Sequence, residues 1–358
     1  MSDTTVPGPH IGEQDIYLRF ADADRRLARV ALVQEIERPR VGPEFNFDDR
    51  STWSLRWRRP PALRMEYRLH LVHKEGGAES VCDPANPLRA SGPFGDKSVL
   101  EFPGYRRPDW LDTEPRPSGP VVETSVESAH LDGRIRVRLW RKGEWNDPRP
   151  LPLLVVHDGP EYADYASLIV MLEHMTARSE LPPMQLALLA PLDRNEHYCA
   201  SPSYSRALAE EVLPQLERIA PSPPGTKMRI GMGASLGALA MLHVHRLYPD
   251  AFGGLFLQSG SFFSEQMDVQ ESWLGRFEEI TRFMNGVRTE TTWGHPIRVE
   301  MTCGSVEENL LNNRATEAAL AAQGYEVALH EHPDAHNWVS WRDTFDPFLV
   351  EFLRDAWG

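Results

Sequence analysis

Three side chains in this sequence, read in chain order, could together cleave an ester: a serine, a carboxylate and a histidine. The serine is Ser235, in GMGASLGAL, where Gly233-Ala234-Ser235-Leu236-Gly237 matches G-x-S-x-G. In that pattern the serine sits on a sharp strand-to-helix turn, and small flanking residues keep the turn from colliding with its surroundings. The match alone carries little, since a chain of this length meets it by accident roughly one time in ten. His336 follows in PDAHNWVSWRD, and the loop GSVEE before it offers Glu307 and Glu308. A hydroxyl becomes a nucleophile when an imidazole takes its proton, and a carboxylate orients the imidazole and stabilises its charged form. Either glutamate has the right place in the order Ser, acid, His.

Such a site needs strands that end where the three groups stand. The second half of the chain alternates strand-like and helix-like segments, which predicts a mostly parallel, doubly wound sheet. ETSVESAHL and RIRVRLWRK read as an antiparallel pair turning at Asp132-Gly133. LPLLVVHDG is a continuous apolar run, as expected of a strand covered on both faces. A helix over YASLIVMLEHMTAR, the strand QLALLAPLD and a helix over SRALAEEVLPQLERI come next. MRIGMGAS running into LGALAMLHVHRLYP is then strand, turn, helix, with Ser235 at the turn. The strands GGLFLQSGS, IRVEMTCG and YEVALHEHP follow, with helices over ESWLGRFEEITRFM and NRATEAALAAQG between them. WRDTFDPFLVEFLRDAW closes the chain as a helix. An oxyanion needs two backbone N–H groups. The amide of Leu236 supplies one, and Gly159 in HDGP is placed to supply the other, Pro160 having none to offer.

The first hundred residues differ. IYLRF, ARVALVQEI, WSLRWRR, MEYRLHLVH and KSVLEF are short, rich in β-branched and aromatic residues, and separated by turn signals. They predict an immunoglobulin-like β-sandwich over 1–103. The stretch 104–120, with its many prolines, predicts a linker. The catalytic domain is expected over 121–358.

Composition narrows the partners. At 358 residues, with 41% hydrophobic and 25% charged side chains, the chain is long enough for two folded domains. A net charge of −14 argues against nucleic acid and anionic membranes. No apolar stretch is long enough to span a bilayer, and MSDTTVPGPHIGEQD lacks the apolar core of a secretory signal, so a cytoplasmic location is expected. Cys82, Cys199 and Cys303 lack metal-like spacing and read as free thiols. His330 and His332 share a strand face, and His243 and His245 lie on the helix after Ser235; all four read as structural. Arg56, Arg58 and Arg59 form a basic cluster in the β-domain that could clamp an anionic substrate.

HDGPEY, DRNEHYCASPSYSRALAEEVLP, GASLGALAML, CGSVEENLLNNRA and DAHNWVSWRD occur in this order. Together they resemble the enterochelin (ferric enterobactin) esterases, within the esterase D-like α/β-hydrolases. EYRLHLVH…CDPANPLRASGPFGDKSVLEFPGY is similar to that family's leading sandwich, so the likeness runs from about residue 15 onward. It implies Ser235 as nucleophile, His336 as base and Glu307 as acid, with no cofactor and with iron as part of the substrate. His157, Arg194, Glu196 and Trp338 become candidate substrate contacts. The family's R-x-x-E-L stands here as Arg194-Asn195-Glu196-His197-Tyr198, with its glutamate displaced by one, and its glycine after the elbow is Ala238. The expected reaction is hydrolysis of a catecholate siderophore's trilactone through an acyl-enzyme. The alternatives are carbohydrate (acetyl or feruloyl) esterases and mycolyltransferases on the same fold, or a non-catalytic glycan-binding scaffold.

Overall fold

The computed structural model describes residues 7–40, 42–48, 51–112 and 121–358. The chain divides into two compact units: residues up to Arg106 with 304–308 and 333–340, and residues 107–303, 309–332 and 341–358. The two short segments of the first unit fall within the span assigned to catalysis from sequence. Of the expected linker, residues 113–120 lie outside the described residues.

Among its described residues the first unit is built from nine strands. Strands β1 (His10–Ile11), β2 (Asp15–Ala21), β4 (Asn46–Phe47) and β5 (Thr52–Arg58) form one sheet, in the order β1-β2-β5-β4. A second sheet runs β3 (Leu27–Gln34), β6 (Arg64–His73), β9 (Lys97–Glu101) and β8 (Arg89–Ala90), with β7 (Ala78–Val81) paired to β6. Alternation does the folding here. Ile16, Leu18, Trp53 and Leu55 point inward from the first sheet, and Val30, Leu32, Met65, Tyr67, Leu69 and Leu71 from the second, into one core. All five strands expected from sequence are present. The four missed ones are two to four residues long, too short for a period to show.

The second unit carries an eight-stranded sheet: β10 (Val122–Ser128), β11 (Gly133–Arg141), β12 (Leu153–His157), β13 (Gln185–Ala190), β14 (Arg229–Ala234), β15 (Gly254–Gln258), β16 (Arg298–Gly304) and β17 (Glu326–His332). Their order is β10-β11-β13-β12-β14-β15-β16-β17. Ser128 pairs with Gly133, so the antiparallel pair at the edge turns where the sequence predicts. The strands from β13 through β12, β14 and β15 to β16 pair in parallel. Every residue of β12 and β15 is buried, as both-face burial requires. From β12 the chain crosses first to β13 on one side and then to β14 on the other. The carboxyl ends of β12 and β14 therefore flank a switch point, where open α/β sheets bind ligands.

Helices α1 (Gly159–Tyr165), α2 (Leu168–Ala177), α3 (Arg194–His197), α4 (Pro202–Ala207), α5 (Leu213–Ile219), α6 (Leu236–Leu247), α7 (Phe277–Thr289), α8 (Leu310–Ala322), α9 (Trp338–Asp343) and α10 (Val350–Trp357) complete the chain. Several differ from expectation, among them the closing helix, expected unbroken over 341–357 and interrupted at Asp346, which leaves the helical region at φ −109°, ψ 118° between α9 and α10. The helix expected from Tyr165 is broken at Ser167, which adopts φ +53°, and α1 precedes it. Pro160 marks that missed start, because proline suits a first helical turn. Ahead of Pro214, which cannot donate an N–H, a widened turn over Leu208–Val212 joins α4 to α5.

One buried amide ties the layers behind the site. Gln258, fully buried at the end of β15, accepts from Tyr162 Oη at 2.7 Å. Its Nε2 lies 2.8 Å from Thr344 Oγ1 and 3.0 Å from the Trp341 carbonyl, to which it donates. Gln258→Leu strands several buried partners and should destabilise the chain by about 2–4 kcal/mol, read by urea denaturation. A loss below about 0.5 kcal/mol would mean those partners rehydrate freely.

Candidate active site

Between β14 and α6 the chain reverses in one residue. Ser235 adopts φ +56°, ψ −124°, outside the regions open to most side chains. Glycine makes this possible at Gly233, where a Cβ would stand 2.6 Å from the carbonyl carbon and oxygen of Gly237. Ser235 N donates to the Gln258 carbonyl at 2.9 Å, and Ser261 N donates to the Ser235 carbonyl at 3.1 Å. The two hydroxyls, Ser235 Oγ and Ser261 Oγ, are 3.0 Å apart. The Ser259–Ser261 loop is itself held: Asn309 Nδ2 donates to the Ser259 carbonyl at 3.1 Å, and Asn313 exchanges two 3.0 Å bonds with Gly260. Ser261 and both asparagines escaped the sequence reading. The S-G-S after a buried strand was the available signal, since it repeats the small-residue signature of the elbow.

Leu236 and Gly159 each begin a helix, α6 and α1. First-turn N–H groups have no acceptor within their own helix and face the positive end of its dipole. The two starts adjoin, since a Cβ on Gly237 would lie 3.2 Å from His157 Cβ. The positive φ in this loop belongs to Asp158, at +49°, and not to Gly159. Gly159 is required for a different reason: a Cβ there would sit 2.3 Å from Leu188 Cα.

His157, at the end of β12, braces both starts. The Gly237 carbonyl can only accept, so His157 Nδ1 carries the proton and donates to it at 3.0 Å. Nε2 then accepts from Tyr204 Oη at 2.8 Å. The ring stacks on Tyr198 at 4.4 Å between centroids, and Tyr198 Oη accepts from Asp158 N at 3.3 Å. Burial drives the imidazole down to about 3, so it stays neutral. A neutral, fully bonded ring is a brace rather than a proton carrier.

In the first unit the structure brings Glu307 and His336 together, with Glu307 Oε2 accepting from His336 Nδ1 at 2.5 Å. Glu307 is fully buried, and its other oxygen accepts from Gly304 N. A Cβ on Gly304 would stand 2.2 Å from the Asp334 carbonyl, so glycine lets the two loops meet. Burial pulls the His336 imidazole down, but the hydrogen-bonded Glu307 charge, joined by Glu35 and Glu308, outweighs it and leaves the group raised. Glu308 contributes charge without the hydrogen bond.

The other candidates are placed as follows. Arg194 grips buried Asp158 through Nε at 3.0 Å and Nη2 at 2.8 Å. Glu196 accepts from Arg276 Nε at 2.6 Å. Trp338, half-buried, opens α9 two residues after His336. Arg56 and Arg58 are exposed on β5, with Arg56 Nη2 on Asp15 at 2.6 Å. His330 stacks on Phe348 at 3.9 Å and pairs with Glu300, His243 Nδ1 bonds Ser205 Oγ at 2.7 Å, and His245 Nε2 bonds Tyr325 Oη at 3.0 Å.

A raised imidazole sets the pH dependence. With His336 as the base expected from sequence, able to accept a proton only above its own pKa, the acidic limb of kcat/KM on a neutral ester should have its midpoint above the ordinary histidine value of about 6.5. The stability that the charged pair lends is present at low pH and fades as pH rises through that value. Glu307→Gln should lower kcat by roughly 10²–10⁴-fold and move the limb to lower pH. A wild-type midpoint below about 6 would contradict the pairing.

The family model described as "Putative esterase" matches residues 128–352. The iron(III) enterobactin esterase of Dickeya dadantii is 26% identical over 277 residues, which span 73% of this chain and 63% of that protein. The chain thus covers somewhat under two thirds of that relative's length. Among solved structures, the enterobactin esterase of Shigella flexneri, crystallised in the presence of enterobactin, superposes with a TM-score of 0.76 at 20% identity, covering 98% of this chain and 96% of that one. The ferric enterobactin esterase of Salmonella typhimurium gives 0.76 at 18% identity, over 99% and 97% of the two chains. The fold is an α/β-hydrolase preceded by a β-rich unit, and by its family model this chain belongs to the esterase family.

Proposed function

We propose that the chain is a serine esterase in which Ser235, His336 and Glu307 form the triad and the amides of Leu236 and Gly159 the oxyanion hole. Ser235 Oγ attacks the ester carbonyl while its proton passes to His336 Nε2. Glu307 stabilises the imidazolium, and the negative oxygen of the tetrahedral intermediate is met by the two first-turn amides. The intermediate collapses as His336 returns the proton to the departing alcohol. Water, activated by the same imidazole, then releases the acid and restores Ser235. The observation that carries this reading is Ser235 itself: a hydroxyl at φ +56° on a glycine-flanked turn, its neighbour's amide opening a helix.

For the substrate, the similarity to proteins named enterobactin esterases supports the trilactone of a catecholate siderophore, opened to release its iron in the cytoplasm. In this reading residues 121–358 do the chemistry, 1–103 form a sandwich domain and 104–120 join them. Arg56, Arg58, Arg194, Glu196, His157 and Trp338 remain candidates for substrate contact. Arg194 and His157 would act there through the loops they hold.

A fluorophosphonate should label the wild-type chain once and leave Ser235→Ala unlabelled; equal labelling of both would end the esterase reading. On substrates, kcat/KM for a tris-catecholate trilactone should exceed that for acetylated or feruloylated sugars on the order of 10²-fold or more. A preference for the sugars would reassign the substrate and leave the chemistry standing.

A further inference from the structure

The sandwich unit holds more than its own strands. Just after β3, the backbone N–H groups of Glu37 and Arg38 both donate to the Val306 carbonyl, at 2.8 and 3.0 Å. Arg38 Nε donates to the carbonyl of Glu307 itself at 3.2 Å. The side chains follow suit: Ile36 and Val306, each 1% exposed, share the sandwich core. The other loop is gripped likewise, since Leu63 N donates to the Pro333 carbonyl at 2.7 Å and Ala335 lies in the same core. Both loops that carry the acid and the base are therefore anchored to sandwich backbone on either side of the Glu307–His336 bond.

This arrangement exceeds what a separate binding module would need. A carboxylate orients an imidazole only within a few tenths of an ångström, and the Gly304–Glu308 loop has no regular secondary structure between β16 and α8 to hold it there. We propose that the segment Glu35–Arg38 is a positioning strap for Glu307, with Arg38 as the positioning residue that fixes the loop through its main-chain carbonyl. The inference rests on Glu307 being the triad acid. Arg38 acts through Glu307, and no part of it touches the reacting atoms in this role. The charges facing His336 from the packed elements are Glu307 and Glu308 on its partner loop and Glu35 on the strap. Glu35 is paired with Lys97 of β9, whose Nζ also lies 3.5 Å from Glu66 Oε2, and Glu66 in turn accepts from Arg64 Nη1 at 2.7 Å. Burial raises the Glu35 carboxyl, and the Lys97 ammonium opposes that shift.

A double-mutant cycle on the full-length chain tests this, using a p-nitrophenyl ester and active-site concentrations titrated by fluorophosphonate, so that misfolded protein does not count. Arg38→Ala should lower kcat about tenfold with KM within twofold, and should move the acidic limb of kcat/KM down as Glu307→Gln does. Arg38→Lys, which keeps a donor near the carbonyl, should recover most of the rate. In the Glu307→Gln background Arg38→Ala should change kcat less than twofold, because there is no longer an acid to position. Equal losses in both backgrounds would make Arg38 merely structural and overturn the strap. If Glu307→Gln lowers kcat and Arg38→Ala does not, the strap falls alone; if Glu307→Gln itself leaves kcat unchanged, the acid assignment falls with it.

Discussion

At Ser235 the chain must leave a buried strand and enter a buried helix within a single residue. A side chain held in so sparse a backbone region costs on the order of 1–3 kcal/mol, and it persists only where the surroundings leave no alternative. Here they leave none. Gly233 and Gly237 are pressed together, and eleven of the twelve residues of α6 are buried behind the turn. The Gln258 carbonyl takes the Ser235 N–H while the Gln258 side chain ties β15 to Tyr162 and Thr344. Much of the polar accounting in the second unit, from Asn309 and Asn313 to Trp341, serves to keep that turn and its neighbouring loop in place.

Two histidines show how environment divides labour between identical groups. Burial pushes both imidazoles toward neutrality. His157 meets a main-chain carbonyl and a tyrosine hydroxyl, which cannot pay back a buried charge, and it remains a neutral brace. His336 meets the Glu307 carboxylate at 2.5 Å with Glu35 and Glu308 nearby, and their charge raises it in spite of burial. One ring therefore fixes backbone, and the other has the environment that the proposed proton transfer needs.

Most of the fold was legible because its signals are local. Period-two alternation marked the sandwich strands, continuous apolar runs marked β12 and β15, and the small residues around Ser235 marked the elbow. The order Ser235, Glu307, His336 places three side chains just past the ends of β14, β16 and β17, and the two expected as acid and base, Glu307 and His336, do meet. What escaped depends on distant partners. Nothing around Arg38 announces that its side chain will reach the Glu307 carbonyl, 269 positions away. Arg194 reads as a free cation until Asp158 is seen buried beneath it. Ser261 looks like a strand end until its hydroxyl is found beside Ser235. The opening of α1 was hidden because its proline and glycine read as a loop, although both suit a helix start that presents an amide.

The most direct test is to catch the covalent intermediate. Wild-type protein mixed with a tris-catecholate trilactone, acid-quenched within milliseconds and digested, should yield the peptide containing Ser235 with one acyl chain of the opened lactone attached. That adduct should be absent in Ser235→Ala. Hydrolysis of the trilactone with no adduct at any time, or with the acyl group on another residue, would contradict Ser235 as the nucleophile.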